Sequence, residues 1–137
     1  MKKNKKYVAE CDTGFLDELR WLSEEMSSEK FIAMMRRGTE KGRKVIIRDA
    51  IKRGLFSKRE YNNKFKDKYN DSNGLDSFSQ YIGTVLHFMD SRDEILFVTS
   101  NDNLLRDRDM LENRFGVNIR HVNEAFSGDD INRPNYQ

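Results

Sequence analysis

Three aspartates in this 137-residue chain, Asp12, Asp76 and Asp102, stand where strands are expected to hand over to helices or where a helix is expected to begin. Asp102 closes the stretch ILFVTSND, an apolar run from Ile95 that stops at Thr99, Ser100 and Asn101 and leads into NLLRDRDMLENRFG. Asp12 follows Tyr7-Val8-Ala9-Glu10-Cys11, a short strand candidate at the start of the chain. In α/β proteins the ligand sits outside the C-terminal ends of parallel strands, so acids delivered there share one rim. Carboxylates gathered in one cleft repel each other unless a cation neutralises them, and a hard divalent ion such as Mg²⁺ or Mn²⁺ suits an all-oxygen site. Such ions activate water and stabilise the leaving oxygen in phosphodiester cleavage, with no nucleophilic side chain required.

Each acid also has a purely structural reading. Asp102 and Asp76 are good helix N-caps, and Asp12 before Thr13-Gly14 suits a strand-to-helix turn. For a fourth acid, Glu60 competes with Asp49, although the capping-box spacing Ser57-Lys58-Arg59-Glu60 accounts for Glu60 without any metal. Cys11, the single cysteine, cannot form an internal disulfide and reads as a small buried hydrophobe rather than a nucleophile. The two histidines, His87 and His121, are far apart, so no zinc cluster is written in the chain.

The elements that must position these acids follow from periodicity. Phe15, Leu19 and Leu22, with Leu16 and Met26 near the same stripe, predict an amphipathic helix after Asp12. Ser27-Ser28-Glu29 offers a start for a second helix carrying Phe31, Ile32, Met34 and Met35. Val45-Ile46-Ile47 reads as the second strand, and residues 48–54 as a helical turn or two closed by Gly54. A lysine-rich helix is predicted from Ser57 to about Tyr69, and a core helix over Leu75–Met89 with Phe78, Ile82, Val85, Leu86 and Met89 on one face. The strand Ile95–Thr99, a helix from about Asn103 to Phe115, Gly116 as its stop and the strand Val117–Val122 compose a βαβ unit, whose strands are parallel with a right-handed crossover. The expected fold is α/β: three layers around a small, mainly parallel sheet, with residues 1–126 as one domain and 127–137 as a loosely held tail.

Charge is distributed unevenly. The formal net charge is only +2, but residues 36–70 carry thirteen Lys/Arg against four Asp/Glu, whereas residues 71–137 carry six against twelve. The basic middle supplies Arg36, Arg37, Arg43, Lys44, Arg48, Lys52, Arg53, Lys58 and Arg59 as candidate phosphate contacts, interleaved with Phe56, Tyr61, Phe65 and Tyr69. Phe56, Phe65 and Tyr69 are better explained as packing residues than as stacking platforms. No run has the apolar length of a membrane span, and Met1–Lys6 is not followed by a signal-peptide core, so the expectation is a cytoplasmic protein without membrane contact.

The C-terminal stretch resembles that of PIN-domain ribonucleases. Ser100-Asn101-Asp102 with Leu104 to Arg106 carries the likeness, and Asn123-Glu124-Ala125-Phe126 falls where the family closes its last turn. Val8-Ala9-Glu10-Cys11-Asp12-Thr13 with Leu16 is similar to the family's opening strand, and Asp76 stands at the position of a further acid. The resemblance implies Mg²⁺- or Mn²⁺-dependent cleavage of RNA, with Asp12, Asp76 and Asp102 as metal ligands and catalytic acids. It gives Ser100 and Asn101 supporting roles, with the Ser100 hydroxyl orienting Asp102. It favours RNA over DNA and allows a homodimer, for which Met34 and Met35 offer apolar surface, and an inhibitory protein partner. The middle of the chain departs from the pattern, since no glutamate follows Val45-Ile46-Ile47 before Glu60 and Gly14 stands after Asp12-Thr13.

Two other readings compete. One is a PIN-like module that binds RNA or protein without cleaving. The other is a haloacid-dehalogenase-like phosphatase with Asp12 as nucleophile, Thr99 binding phosphate and Gly128-Asp129-Asp130 as the late acidic motif; against it, Gly14 occupies the place of the expected second aspartate.

Overall fold

The computed structural model describes residues 5–11, 31–35, 40–70 and 76–125. Four strands form one sheet: β1 (Lys5–Cys11), β2 (Phe31–Met35), β3 (Glu94–Thr99) and β4 (Asn118–His121), in the order β2-β1-β3-β4. Every pairing is parallel, with Ala9 opposite Ala33 on one side and Val98 on the other, and Phe97 opposite Ile119. The chain is therefore an α/β fold built on a small parallel sheet. Parallel strands are covered by their crossover helices, which is why β3 reads as a continuous apolar run, buried from Ile95 to Thr99.

The helices are α1 (Glu40–Lys52), α2 (Lys58–Glu60), α3 (Ser77–His87), α4 (Asp102–Arg106), α5 (Arg108–Phe115) and α6 (Val122–Ala125), with a π-helical segment over Tyr61–Phe65. The connections from β2 to β3 and from β3 to β4 both run in the same direction across the sheet, so right-handed crossovers place α1 to α3 and α5 on one face. Packing agrees with that placement. Phe78 of α3 stacks on Phe65 with centroids 4.7 Å apart, and Phe115 of α5 approaches Phe56, Phe65, Phe78 and Tyr81 within 6.4 Å. The Tyr81 hydroxyl, fully buried, donates its one proton to the Val117 carbonyl (2.7 Å), with the Leu111 carbonyl sharing it at 3.3 Å, fastening α3 to the end of the β3–β4 crossover. Ile46 of α1 packs over α3 at Gly83, where its Cδ1 lies at ordinary contact distance, 3.4 Å, from where a Cβ would stand. Gly116 ends α5 at φ 82°, a left-handed position that glycine adopts without strain.

Two expected elements change type. Phe31–Met35 is strand β2 rather than part of a helix, and Val45-Ile46-Ile47 lies inside α1 rather than in a strand. In α1 the β-branched run is accommodated because Ile47 and Ala50 are buried while Ile46 and Ile51 pack against the same core. The lysine-rich helix does start at Ser57, whose Oγ accepts the Glu60 amide at 3.0 Å, but it widens into the π-helical segment and stops at Phe65. Asp67 follows in a left-handed conformation, φ 60°. The expected Asn103–Phe115 helix is two helices that join at Asp107. The helix expected after Asp12 and the tail from residue 127 lie outside the described residues, and no helix among the described residues is long and apolar enough to cross a membrane.

Candidate functional site

β1 and β3 are neighbours, yet the chain leaves β1 toward β2 and leaves β3 toward β4, in opposite directions. In open α/β sheets such a reversal marks the crevice, outside the C-terminal ends of the two strands, where ligands are held. β1 ends at Cys11, one residue before Asp12, and β3 ends at Thr99, three residues before Asp102. Asp12 itself, like Arg36 and Arg37, lies outside the described residues.

Asn101 organises the β3 side of the crevice. Its Oδ1 accepts the Leu104 amide at 3.0 Å, which makes Asn101, not Asp102, the N-cap of α4. Its Nδ2 donates to the Tyr69 carbonyl (2.9 Å) and to Ser77 Oγ (3.0 Å), and its own amide donates to Thr99 Oγ1. The side chain is buried, so each of these bonds satisfies a group withdrawn from water. Asp102 is thereby relieved of capping: it is exposed in the first turn of α4, and its carboxylate has no hydrogen-bond or ion-pair partner among the described residues. Ser100, expected to orient Asp102, makes no hydrogen bond among the described residues; the ordering contacts come from Asn101. Thr99 is buried with its Oγ1 already accepting a bond, which takes it out of a phosphate pocket.

Asp76 sits on the other side of the same hydrogen bond, one residue before Ser77. It is the N-cap of α3, only 7% exposed, and its Oδ1 accepts the amides of Phe78 (3.0 Å) and Ser79 (3.4 Å). The Ser79 side chain adds a further favourable contact to the same carboxyl. Burial pushes the Asp76 carboxyl above its ordinary value, opposed by those amides and by the positive charge of Arg43. Asn70, bridged through its backbone to Asp76, buries Oδ1 with no partner among the described residues. The carboxylates of Asp76 and Asp102 and the amide oxygen of Asn70 are donors of the kind a hard divalent cation takes. Among the described residues, no group of three or more His, Cys, Asp or Glu side chains gathers as a metal cluster.

The two candidates for a fourth acid are engaged elsewhere. Both carboxylate oxygens of Glu60 are held by the guanidinium of Arg114, with Lys64 at 3.4 Å, and the arginine's hydrogen bond is the main reason its carboxyl lies below the usual range. Asp49 pairs with Arg53 one turn along α1, at 3.4 Å. Neither is joined to the Asn101 network.

The basic segment divides in two. Arg43, Lys44, Arg48 and Lys58 line a cavity of about 650 Å³ between α1 and the π-helical segment, together with Tyr61, Asn62, Lys66 and Asp67. Lys52 and Arg53 line a second groove between α1 and α3. Arg59 is exposed and belongs to neither. The phenol of Tyr61 is pushed up to about 12, chiefly by burial and then by the charges of Asp76 and Asp67. Arg43 acts on both Tyr61 and Asp76, so the cavity and the Asp76 carboxylate share one electrostatic neighbourhood.

Phe56, Phe65 and Tyr69 are buried, as expected of packing residues. The part that sequence reasoning passed over is the joining role of Asn101. Its signal was present, since asparagine is among the best N-cap residues and stands directly before Asp102. Comparison of the chain with family models, curated proteins and solved structures finds no match.

Proposed function

We propose that this chain is a metal-dependent endoribonuclease of PIN-like build, cleaving RNA at the crevice between β1 and β3. The observation that carries the reading is the Asn101–Ser77 hydrogen bond, which ties the helix start bearing Asp102 to the helix start bearing Asp76 at that crevice. Asp12, Asp76 and Asp102 would hold Mg²⁺ or Mn²⁺. A bound divalent ion supplies Lewis acidity and a water of lowered pKa at neutral pH. The chain's own part is positional and electrostatic. Asn101 fixes both acidic helix starts, Asp102 offers a carboxylate unpartnered among the described residues, and Arg43, Arg48 and Lys58 hold the phosphate backbone beside them. RNA is favoured over DNA by the resemblance of 95–126 to the ribonuclease family.

The test is cleavage of structured and single-stranded RNAs by the purified protein with Mn²⁺. Cleavage that EDTA stops and Asp102→Asn removes is the expected result. Intact RNA under all conditions, with wild-type and Asp102→Asn indistinguishable, overturns it.

A second reading is supported by the engagement of Glu60 and Asp49 in ion pairs, which leaves fewer acids for a metal. On that reading the chain is an RNA-binding module without catalysis. It predicts salt-dependent RNA binding that divalent ions do not change. Cytoplasmic location remains part of the proposal on the absence of a membrane-length apolar run and a signal-peptide core in the sequence, a homodimer on Met34 and Met35 together with the resemblance, and an inhibitory partner as a further element of the proposal.

A further inference from the structure

The cavity between α1 and the π-helical segment has three properties that the catalytic reading does not use. Its size, about 650 Å³, lies within the range of pockets that enclose a small organic ligand. Its lining carries five cations, Arg43, Lys44, Arg48, Lys58 and Lys66, against one acid, Asp67, so it attracts an anion. Its walls also include a tyrosine, an asparagine and two isoleucines, Ile47 and Ile51, so it offers apolar area as well as charge.

The charges are available. Elsewhere in the described residues, cations are mostly ion-paired, as in Lys6–Asp93, Arg53–Asp49, Lys68–Asp107, Arg108–Glu124, Arg114–Glu60 and Arg120–Glu112. Arg43, Arg48, Lys58 and Lys66 have no ion pair among the described residues, and all four line this one cavity. A cluster of unpaired cations carries a repulsive cost that a polyanion removes on binding.

The aromatic wall is preorganised. Tyr61 is half-buried and stacked on Phe56, with centroids 5.7 Å apart and planes 22° from parallel, and its ring is also 6.3 Å from that of Phe78. Its hydroxyl has no hydrogen-bond partner among the described residues. The π-helical geometry brings Tyr61 and Lys66 onto one side, because the Lys66 amide closes on the Tyr61 carbonyl at 2.8 Å. Short π-helical segments of this kind recur at functional sites.

We infer that this cavity is a subsite for one unpaired nucleotide of a nucleic-acid strand, with its base against Tyr61 and its phosphates on Arg43, Arg48, Lys58 and Lys66. The inference deepens the nuclease reading and rests on it for the choice of RNA. It goes further by naming what is recognised: a base in a duplex cannot reach Tyr61 without leaving its stack. Arg43 lines this subsite and its charge also acts on Asp76, so the subsite and that acid share one electrostatic neighbourhood. The subsite therefore makes the chain selective for single strands.

The test is equilibrium binding, followed by fluorescence anisotropy with EDTA present so that no strand is cut. The probes are a labelled, unstructured oligoribonucleotide and a blunt RNA duplex of the same sequence. Tyr61→Ala should weaken single-strand binding about tenfold, in the range that one stacked base contributes, and leave duplex binding unchanged. Tyr61→Phe should bind as the wild type does. Arg48→Gln with Lys58→Gln, at exposed positions where the fold does not depend on them, should weaken binding of the single strand as well, whereas Arg92→Gln should not. Equal affinity of Tyr61→Ala and wild type for the single strand overturns the subsite, as does an equal loss for strand and duplex. A free nucleoside monophosphate that binds as tightly as the oligonucleotide overturns the assignment to a strand. If Tyr61→Ala does not fold, unchanged single-strand affinity of the Arg48 and Lys58 double variant overturns it. Loss of stacking with no cleavage under Mn²⁺ would leave the subsite standing and remove the nuclease reading; cleavage with unchanged Tyr61→Ala binding would do the reverse.

Discussion

Asn101 and Ser77, 24 positions apart in the chain, meet through a 3.0 Å hydrogen bond from the asparagine Nδ2 to the serine Oγ, both groups buried. The bond joins the residue before Asp102 to the residue after Asp76. Two helix starts on separate connections of the sheet are thereby held at one place, and each presents an acid. The same amide nitrogen donates to the Tyr69 carbonyl, so the turn after the π-helical segment is drawn into the same knot.

Replacing Asn101 with alanine should be costly. It removes the α4 cap, worth about 1 kcal/mol, and leaves the Tyr69 carbonyl and Ser77 hydroxyl short of a donor, for a total loss of about 2–4 kcal/mol. Asn101→Ser keeps a capping oxygen and should recover about 1 kcal/mol of that. Urea denaturation of the three proteins checks both numbers. A loss below about 0.5 kcal/mol for the alanine variant would mean that the knot does not hold the site.

Asp76→Asn should separate folding from metal binding. Asparagine caps a helix about as well as aspartate, and burial already disfavours the Asp76 charge, so the variant should be as stable as wild type in EDTA. Asp76→Ala should lose about 1 kcal/mol through the missing cap. Mn²⁺ at a hundred times its dissociation constant should stabilise the wild type by about 2–3 kcal/mol and leave Asp76→Asn unmoved. Thermal melts with and without the ion read this directly, and an equal shift in both proteins would remove Asp76 from the ligand set.

The Arg114–Glu60 pair gives a pH signature. Because the Glu60 carboxyl is held below its ordinary value in the folded chain, its contribution is fully present above the unfolded value and is lost as pH falls through the folded one. Arg114→Ala abolishes that increment. The stability gap between wild type and variant should therefore be constant at neutral pH and narrow on acidification below the usual carboxylate range. Part of the gap should persist in acid. The guanidinium also lies over Phe65 and Phe115, at 5.5 and 5.3 Å, and cation–π contacts of this kind contribute about 1 kcal/mol. A pH-independent gap would show that the ion pair is only geometric.

Tyr81→Phe tests how firmly α3 is fastened to the β3–β4 crossover. The hydroxyl bond to Val117, shared with Leu111, is buried, and without it the Val117 carbonyl loses its side-chain donor. The expected cost is about 1–3 kcal/mol with no change in secondary structure, measured by chemical denaturation and far-ultraviolet circular dichroism. A variant as stable as wild type would mean that water replaces the hydroxyl.

RNA affinity should fall with salt, and each of Arg43, Arg48 and Lys58 that touches a phosphate should contribute about 1 to the slope of log affinity against log salt. Single glutamine substitutions at these positions should each flatten the slope by that amount. An unchanged slope would assign the basic face to solvent alone.

The sequence by itself determined the parts of this protein whose signals are local. The apolar run Ile95–Thr99, the stop at Gly116 and the cap at Asp76 each specify an element through burial, backbone freedom or a side-chain oxygen near its own helix, and the β3–α4–α5–β4 unit follows from them. The acids at the ends of those elements could be named for the same reason. Only the tertiary structure decided what depends on partners distant in sequence. Phe31–Met35 is a strand because β1 offers it a parallel edge, and Val45-Ile46-Ile47 is helical because α1 buries Ile47 and Ala50 in the core, contacts stronger than the intrinsic preference of a short β-branched run. Glu60 was a candidate ligand until Arg114, 54 residues away, took both of its oxygens. Asp102 is released from capping because Asn101 caps α4 and reaches Ser77, which no spacing along the chain reveals. A side chain's chemistry is written in its type, but whether it is spent on structure or left for a ligand is fixed by what the fold places beside it.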